Sequence, residues 1–196
     1  NIFNLMVVCG FCTLFCPLAV SRSTLTGEFP FSVIVAVILM VLGWLGMTLG
    51  HMDGFIMLVL LVGFLLWMIR SAQKARSENA EEDEYEIRPI WQCIMYIVGG
   101  GAAIAAGGQL VTSVVAARKH EVDMALGNVI GSNIFNILFV LGVAAAIHPM
   151  VFQMENIIDI IVLVVMSIIV LCFAWTKQKL VRWEGISMLA MYAAYV

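Results

Sequence analysis

Charge is what this sequence has least of. Asp, Glu, Lys and Arg make up 12% of its 196 residues, while hydrophobic residues make up 63% and the mean hydropathy is +1.04. A soluble domain carries roughly a quarter charged residues, so the shortage excludes a soluble enzyme, a nucleic-acid-binding domain and a secreted disulfide scaffold as first readings. The few charges are also clustered, which leaves long uncharged runs. Runs of about 18 or more such residues mark helices that cross a bilayer. The net charge of −3 therefore says little about partners. An initiator Met and a signal peptide are missing too, and Asn1 opens inside an apolar run, so it is not expected to be a native start. The five cysteines, Cys9, Cys12, Cys16, Cys93 and Cys172, all lie in apolar runs. Cys9-Gly-Phe-Cys12 matches C-x-x-C, but a redox or metal site needs a polar, accessible setting, so packing is expected.

What is present is a series of apolar runs: 1–20, 29–50, 54–69, 89–117, 124–154, 160–176 and 185–196, the last too short for a full span. Only helices or closed barrels satisfy the backbone in lipid, and runs this long and apolar are helices. The expected fold class is an all-α membrane protein, a polytopic helical bundle embedded in a lipid bilayer. Between the third and fourth runs lies the one hydrophilic linker, 71–89, with the acidic stretch Glu78-Asn-Ala-Glu81-Glu82-Asp83-Glu84-Tyr85-Glu86. It reads as a solvated cytoplasmic loop rather than a divalent-cation site.

Lys and Arg normally collect on the cytoplasmic side. With seven simple crossings, Arg22, Arg70, Lys74, Arg76 and Arg88 face one side and Arg118, Lys119, Lys177, Lys179 and Arg182 the other, which is no bias. One extra crossing before Arg118 moves all of them to one side and leaves His51 and His148 opposite. Yet 89–117 is only 29 residues, and two crossings need roughly 40. The sequence therefore points to a missing helix near Leu110–Val111, lost either in the gene or only in this chain.

The chain also repeats itself. Asn1-Ile-Phe-Asn4 recurs as Asn133-Ile-Phe-Asn136 at an offset of 132, which also matches Val8 with Val140, Gly10 with Gly142 and Pro17 with Pro149. Further on, Asp53-Gly54 aligns with Glu184-Gly185, and Met57-Leu58 with Met188-Leu189, at an offset of 131. With the extra crossing the halves run in opposite directions, giving inverted repeats: 1–70 as what remains of the first (three spans), and 90–196 as the second with an internal gap. Inverted repeats around a polar midplane site are a recurrent plan of secondary transporters.

The run 124–154 carries the polar residues. Asn128, Ser132 and Asn136 are spaced i, i+4, i+8 on one helix face, with Asn133 beside them. Such groups are costly in hydrocarbon unless paired, so they face protein or a wet cavity. Their oxygens suit hard cations, and interhelical hydrogen bonding is the plainer alternative. Gly127 and Gly131 are expected to permit close helix approach. From the other half, Asn4 would supply the partner amide.

Gly127-Asn128-Val-Ile-Gly131-Ser132-Asn133-Ile-Phe-Asn136 resembles the second alpha-repeat of the calcium/cation antiporter superfamily, the sodium/calcium exchangers, and is most similar to the bacterial antiporter type. The resemblance covers nearly the whole chain, with Asn1–Asn4 similar to the tail of the first-repeat motif. It implies two inverted five-helix halves around the ion sites, with Ser132, Asn136 and Asn4 as ion-site oxygens. Asn128 and Asn133 are motif positions of less defined role. It implies sodium and calcium as transported ions, no cofactor, no enzyme activity, no nucleic-acid partner and a bacterial inner-membrane location. The run 89–117, with Gly99–Gly101 and Gly107–Gly108, resembles the helix that slides across the bundle. Two departures stand out. The family's Gly-Thr-Ser-x-Pro-Glu motif should precede each Gly-Asn motif, and neither copy is here. A site of Asn and Ser alone is neutral, and a dehydrated divalent ion without anionic ligands is very unfavourable in low dielectric. This chain is therefore expected not to move calcium, and a non-transporting membrane remnant or interaction subunit is the alternative.

The remaining polar residues have plainer readings. His51 and Asp53 are expected at a helix cap. Glu155 and Asp159 are expected at a helix N-terminus, and Gln109 in a packing hydrogen bond. His148-Pro149 should end a span, and Trp67, Trp91, Trp175 and Trp183 should anchor span ends.

Overall fold

The computed structural model describes residues 1–15, 17–78 and 122–196. A π-helical stretch Asn4–Val8 leads into α1 (Cys9–Phe15), followed by β1 (Leu18–Ala19). A second π stretch, Thr24–Glu28, leads into α2 (Phe29–Gly46), then β2 (Thr48–Leu49) and α3 (His51–Glu78). After the undescribed residues come α4 (Val122–Phe135), a third π stretch Asn136–Leu141, α5 (Gly142–Ile147) and β3 (Met150–Val151). The chain closes with α6 (Met154–Lys177), β4 (Lys179–Leu180) and α7 (Arg182–Tyr195). Among the described residues four helical stretches, Thr24–Gly46, His51–Ser71, Leu126–Ile147 and Met154–Thr176, are long and apolar enough to cross a membrane. Many large apolar side chains point outward, Leu45, Val59 and Ile147 among them, as a lipid-facing surface requires.

The strands pair in a crossed manner, β1 with β4 and β2 with β3, all antiparallel. α2 runs from the β1·β4 end to the β2·β3 end, and α6 runs back. The halves are therefore inverted. The sequence repeat maps one ladder onto the other: Leu18↔Leu180 becomes Met150↔Leu49, and Ala19↔Lys179 becomes Val151↔Thr48. The turns match as well. Met47 and Gln178 both take the left-handed conformation, with φ 49° and 52°. Val20 N–H donates to Gln178 O at 2.9 Å, and Phe152 N–H to Met47 O at 2.8 Å. Gly50 N–H donates to Asp53 Oδ2, and Val181 N–H to Glu184 Oε2, both at 2.8 Å. Asp53 thus caps its helix, as its sequence position implies, and Glu184 caps α7 in the same way.

The change of offset from 132 to 131 has a structural cause. Buried Leu25 corresponds to Ile157 at the first offset, and buried Phe29 to Ile160 at the second. Between them lies the π stretch Thr24–Glu28, which accommodates one residue more than the regular turn of α6.

Among the described residues the close helix approaches fall at Gly10 and Gly54. A Cβ on Gly10 would lie 3.1 Å from Gly185 O, and one on Gly54 would lie 2.5 Å from Ala146 N and 2.6 Å from Gly142 O. These two contacts, α1 on α7 and α3 on α5, are again twofold mates. Gly131, by contrast, has nothing within 4 Å, and Gly127 meets only Glu28 Oε2 at 4.0 Å. Among the described residues no helix packs on that face of α4.

Arg22, Lys179 and Arg182 lie at the β1·β4 end, where α6 ends in Lys177 and where α3 runs on through Arg70, Lys74 and Arg76. Trp67 of α3 covers Gly27 there, and Gly127 near the start of α4 lies beside Glu28. The chain therefore leaves α3 and begins α4 at the same end. His51 and His148 occupy the other end, where His51 Nδ1 pairs with Ala146 O at 2.9 Å and α5 ends at Ile147, just before His148-Pro149. Arg88, Arg118, Lys119, Trp91, Cys16, Cys93, Gln109 and the run 89–117 lie outside the described residues.

The glycine contacts give a direct stability test. Gly54→Ala drives a methyl into the α5 backbone and is expected to cost about 1–3 kcal/mol. Gly63→Ala enters open space and is expected to be neutral or to stabilise by about 1 kcal/mol through helix propensity. Thermal unfolding in detergent should show a lowered midpoint for the first variant only.

Candidate functional site

The polar residues of both halves come together through the twofold. Asn136 opens the π stretch that follows α4, and its repeat partner Asn4 opens the π stretch before α1. A π turn widens the helix and breaks the regular i→i−4 ladder, a feature concentrated at functional positions. Asn136 Nδ2 donates to Asn1 Oδ1 at 3.2 Å, a direct bond between the two halves. The sequence pointed to Asn4 as the amide from the first half, whereas the one bonded to Asn136 is Asn1. The repeat held the signal, since Asn1 is the counterpart of Asn133 in Asn-Ile-Phe-Asn.

Asn133 is 3% exposed, and its Oδ1 has no hydrogen-bond partner among the described residues. A buried carbonyl oxygen left unpaired costs about 1–3 kcal/mol, so this oxygen is available to a donor or a cation. Ser132 is half-buried, and its hydroxyl donates to Val129 O at 2.9 Å. That bond uses the hydrogen and leaves the oxygen lone pairs free to accept. Asn128 and Asn4 are also half-buried. The structure thus puts Asn128, Ser132 and Asn136 in a partly open stripe along one helix, with Asn133 turned inward beside them. Asn4 and Asn1 belong to the facing half. All are neutral oxygen donors of the kind hard cations accept. Among the described residues there is no group of three or more His, Cys, Asp or Glu that could hold a metal ion. Cys9 and Cys12 are buried in the apolar core, each 1% exposed.

An inverted-repeat helical membrane protein with a polar stripe between its halves belongs to the secondary-transporter class of folds. The comparisons make this specific. The family model described as sodium/calcium exchanger protein matches residues 1–70 and 100–196, and the chain belongs to that family. It is 31% identical over 190 aligned positions to CaxA, a candidate antiporter of Alkalimonas amylolytica, covering 76% of this chain and 58% of that protein. It is 28% identical to the inner membrane protein YrbG of Escherichia coli over 219 positions, covering 91% of this chain and 67% of that protein. That alignment is longer than the 196 residues of this chain, so YrbG carries positions that face no residue here. Among solved structures, the sodium-calcium exchanger NCX_Mj superposes with a TM-score of 0.76 at 24% identity, covering 99% of this chain and 72% of that one.

The unpaired oxygen separates the roles of the two amides. Asn136→Leu strands the Asn1 oxygen and is expected to lower the thermal unfolding midpoint in sodium-free detergent. Asn133→Leu removes an unpaired polar atom at similar volume and is expected to leave that midpoint unchanged or higher. A fall in the Asn133→Leu variant equal to that of Asn136→Leu would show that Asn133 is paired in solution.

Proposed function

We propose that these residues belong to a secondary active cation antiporter that exchanges sodium for calcium by alternating access. The observation that carries the reading is the amide bond between Asn136 and Asn1 across the inverted halves, beside the unpaired oxygen of buried Asn133. In this reading Ser132, Asn136 and Asn4 supply ion-site oxygens, with Asn128 and Asn133 contributing at the same site. The opposed halves expose that site to each side of the membrane in turn. Relatives named as sodium/calcium and sodium/potassium/calcium exchangers support the choice of ions.

The repeats divide the chain into 1–70, a cytoplasmic acidic linker 71–89, and 90–196. The family match, which leaves out 71–99, supports that division. The basic β1·β4 end is the cytoplasmic end of a bacterial inner-membrane protein. α3 ends and α4 begins at that same end, in keeping with the extra crossing that the Lys and Arg count calls for. Two crossings need about 40 residues of membrane span. Run 89–117 falls short of that, in keeping with a gap near 110–111. A carboxylate at the membrane centre would come from residues outside this chain.

Isotope flux in liposomes tests the proposal. A longer protein containing these residues together with a midplane carboxylate is expected to take up calcium against a sodium gradient. Asn136→Ala in that protein should cut the flux by about tenfold or more, the scale of a lost metal-site contact. Unchanged flux would remove Asn136 from the site. The 196-residue chain reconstituted alone is expected to show no sodium-driven calcium uptake, because its midplane donors are neutral.

A further inference from the structure

The twofold carries Asn136 onto Asn4 and Asn1 onto Asn133. The bond from Asn136 Nδ2 to Asn1 Oδ1 therefore has a mate, from Asn4 Nδ2 to Asn133 Oδ1. The structure makes the first, at 3.2 Å, and not the second. Among the described residues Asn133 Oδ1 has no partner, although Asn133 is 3% exposed, and the Asn4 side chain makes no hydrogen bond either. An exact twofold would make both bonds or neither. The halves therefore differ in how they pair these amides, and the difference leaves one buried acceptor and one donor of the mate bond open.

The same asymmetry appears in burial. Asn1 lies on the wall of a cavity of about 470 Å³ at the β2·β3 end, which Met150, Asn156, Tyr192 and Tyr195 also line. Each of these is half-buried or exposed. Their twofold mates, Asn133, Leu18, Thr24, Leu61 and Phe64, are all buried, between 0% and 8% exposed. At these positions the bundle is open at the end of His51 and His148 and closed at the basic end. An inverted repeat reaches the opposite state when its halves exchange conformations, so what one half shows now the other shows after the exchange. Both donors open π stretches, which interrupt the regular helix ladder where each amide must change partner.

We propose that the two amide bonds alternate: Asn136 holds Asn1 while the bundle is open at the β2·β3 end, and Asn4 holds Asn133 when it is open at the basic end. Asn1 and Asn133 are then positioning residues. Tying Nδ2 of Asn136 to Asn1 fixes the plane of that amide and leaves its own carbonyl oxygen for the ion, and Asn133 does the same for Asn4 after the exchange. Each state makes one bond and leaves one acceptor open, so the two stay close in free energy, as a two-state carrier needs. The acceptor that lies buried and unused in the present state has its use in the other. This deepens the antiporter reading and rests on it for the exchange of the halves, but the two fail separately.

The test reads both ends of the purified full chain in a maltoside micelle, with the native cysteines replaced by alanine. A polar maleimide labels Asn156→Cys at one end and its mate Thr24→Cys at the other, and the two rates are compared. In the parent the Asn156→Cys rate is expected to be the higher. Asn1→Leu removes the acceptor of the present state and should shift the ratio toward Thr24→Cys by about fivefold, the scale of one net hydrogen bond. Asn133→Leu removes the acceptor of the exchanged state and should move the ratio the other way. The double variant loses both acceptors and should return to the parent ratio. General damage to the fold would move both single variants in the same direction. That result, or an unchanged ratio in both, would overturn the proposal. Failure of the antiporter reading appears instead as unchanged flux in Asn136→Ala, and leaves the labelling ratio unmoved.

Discussion

Two short antiparallel ladders, β1·β4 at one end and β2·β3 at the other, tie the halves together, and everything else takes its position from them. Each ladder joins a turn of the first half to a turn of the second, so neither half closes without the other. The left-handed residues Met47 and Gln178 end helices and turn the chain into these ladders. Once both ladders are in register, the twofold axis is set. The glycine contacts follow, with Gly10 against Gly185 and Gly54 against Gly142. Small residues let the backbones meet where apolar side chains gain nothing over lipid.

The same twofold brings amides together where a bilayer offers them no water. An Asn in hydrocarbon must find a partner, and Asn136 finds Asn1 from the opposite half. The π stretches that begin at Asn4 and Asn136 mark this place in both repeats. The symmetry is not complete, because among the described residues Asn133 keeps an unpaired oxygen while its counterpart Asn1 is bonded. A neutral, oxygen-lined interior has modest attraction for ions by itself.

Much of the architecture was legible in the sequence. Low charge and long apolar runs require membrane helices, and matched Asn, Gly and Pro residues revealed the repeat. Other features left no such mark. The one-residue change of offset comes from a π turn, and residue type alone does not announce an i→i+5 turn. Among the described residues the tightest backbone approaches fall to Gly54 and Gly10, which composition does not set apart from Gly127 and Gly131. A glycine shows only that a close approach is possible, and the partner that uses it is set by helix rotation.

The sequence by itself determined that this chain is a membrane bundle of duplicated, opposed halves with an amide stripe in the second. Those facts follow from hydropathy and residue identity, which are local. The tertiary structure decided which amide meets Asn136 and which oxygen stays unpaired among the described residues. These depend on the relative rotation and axial shift of helices from different halves. In lipid those are set by backbone contacts and ladder register, which apolar side chains barely encode.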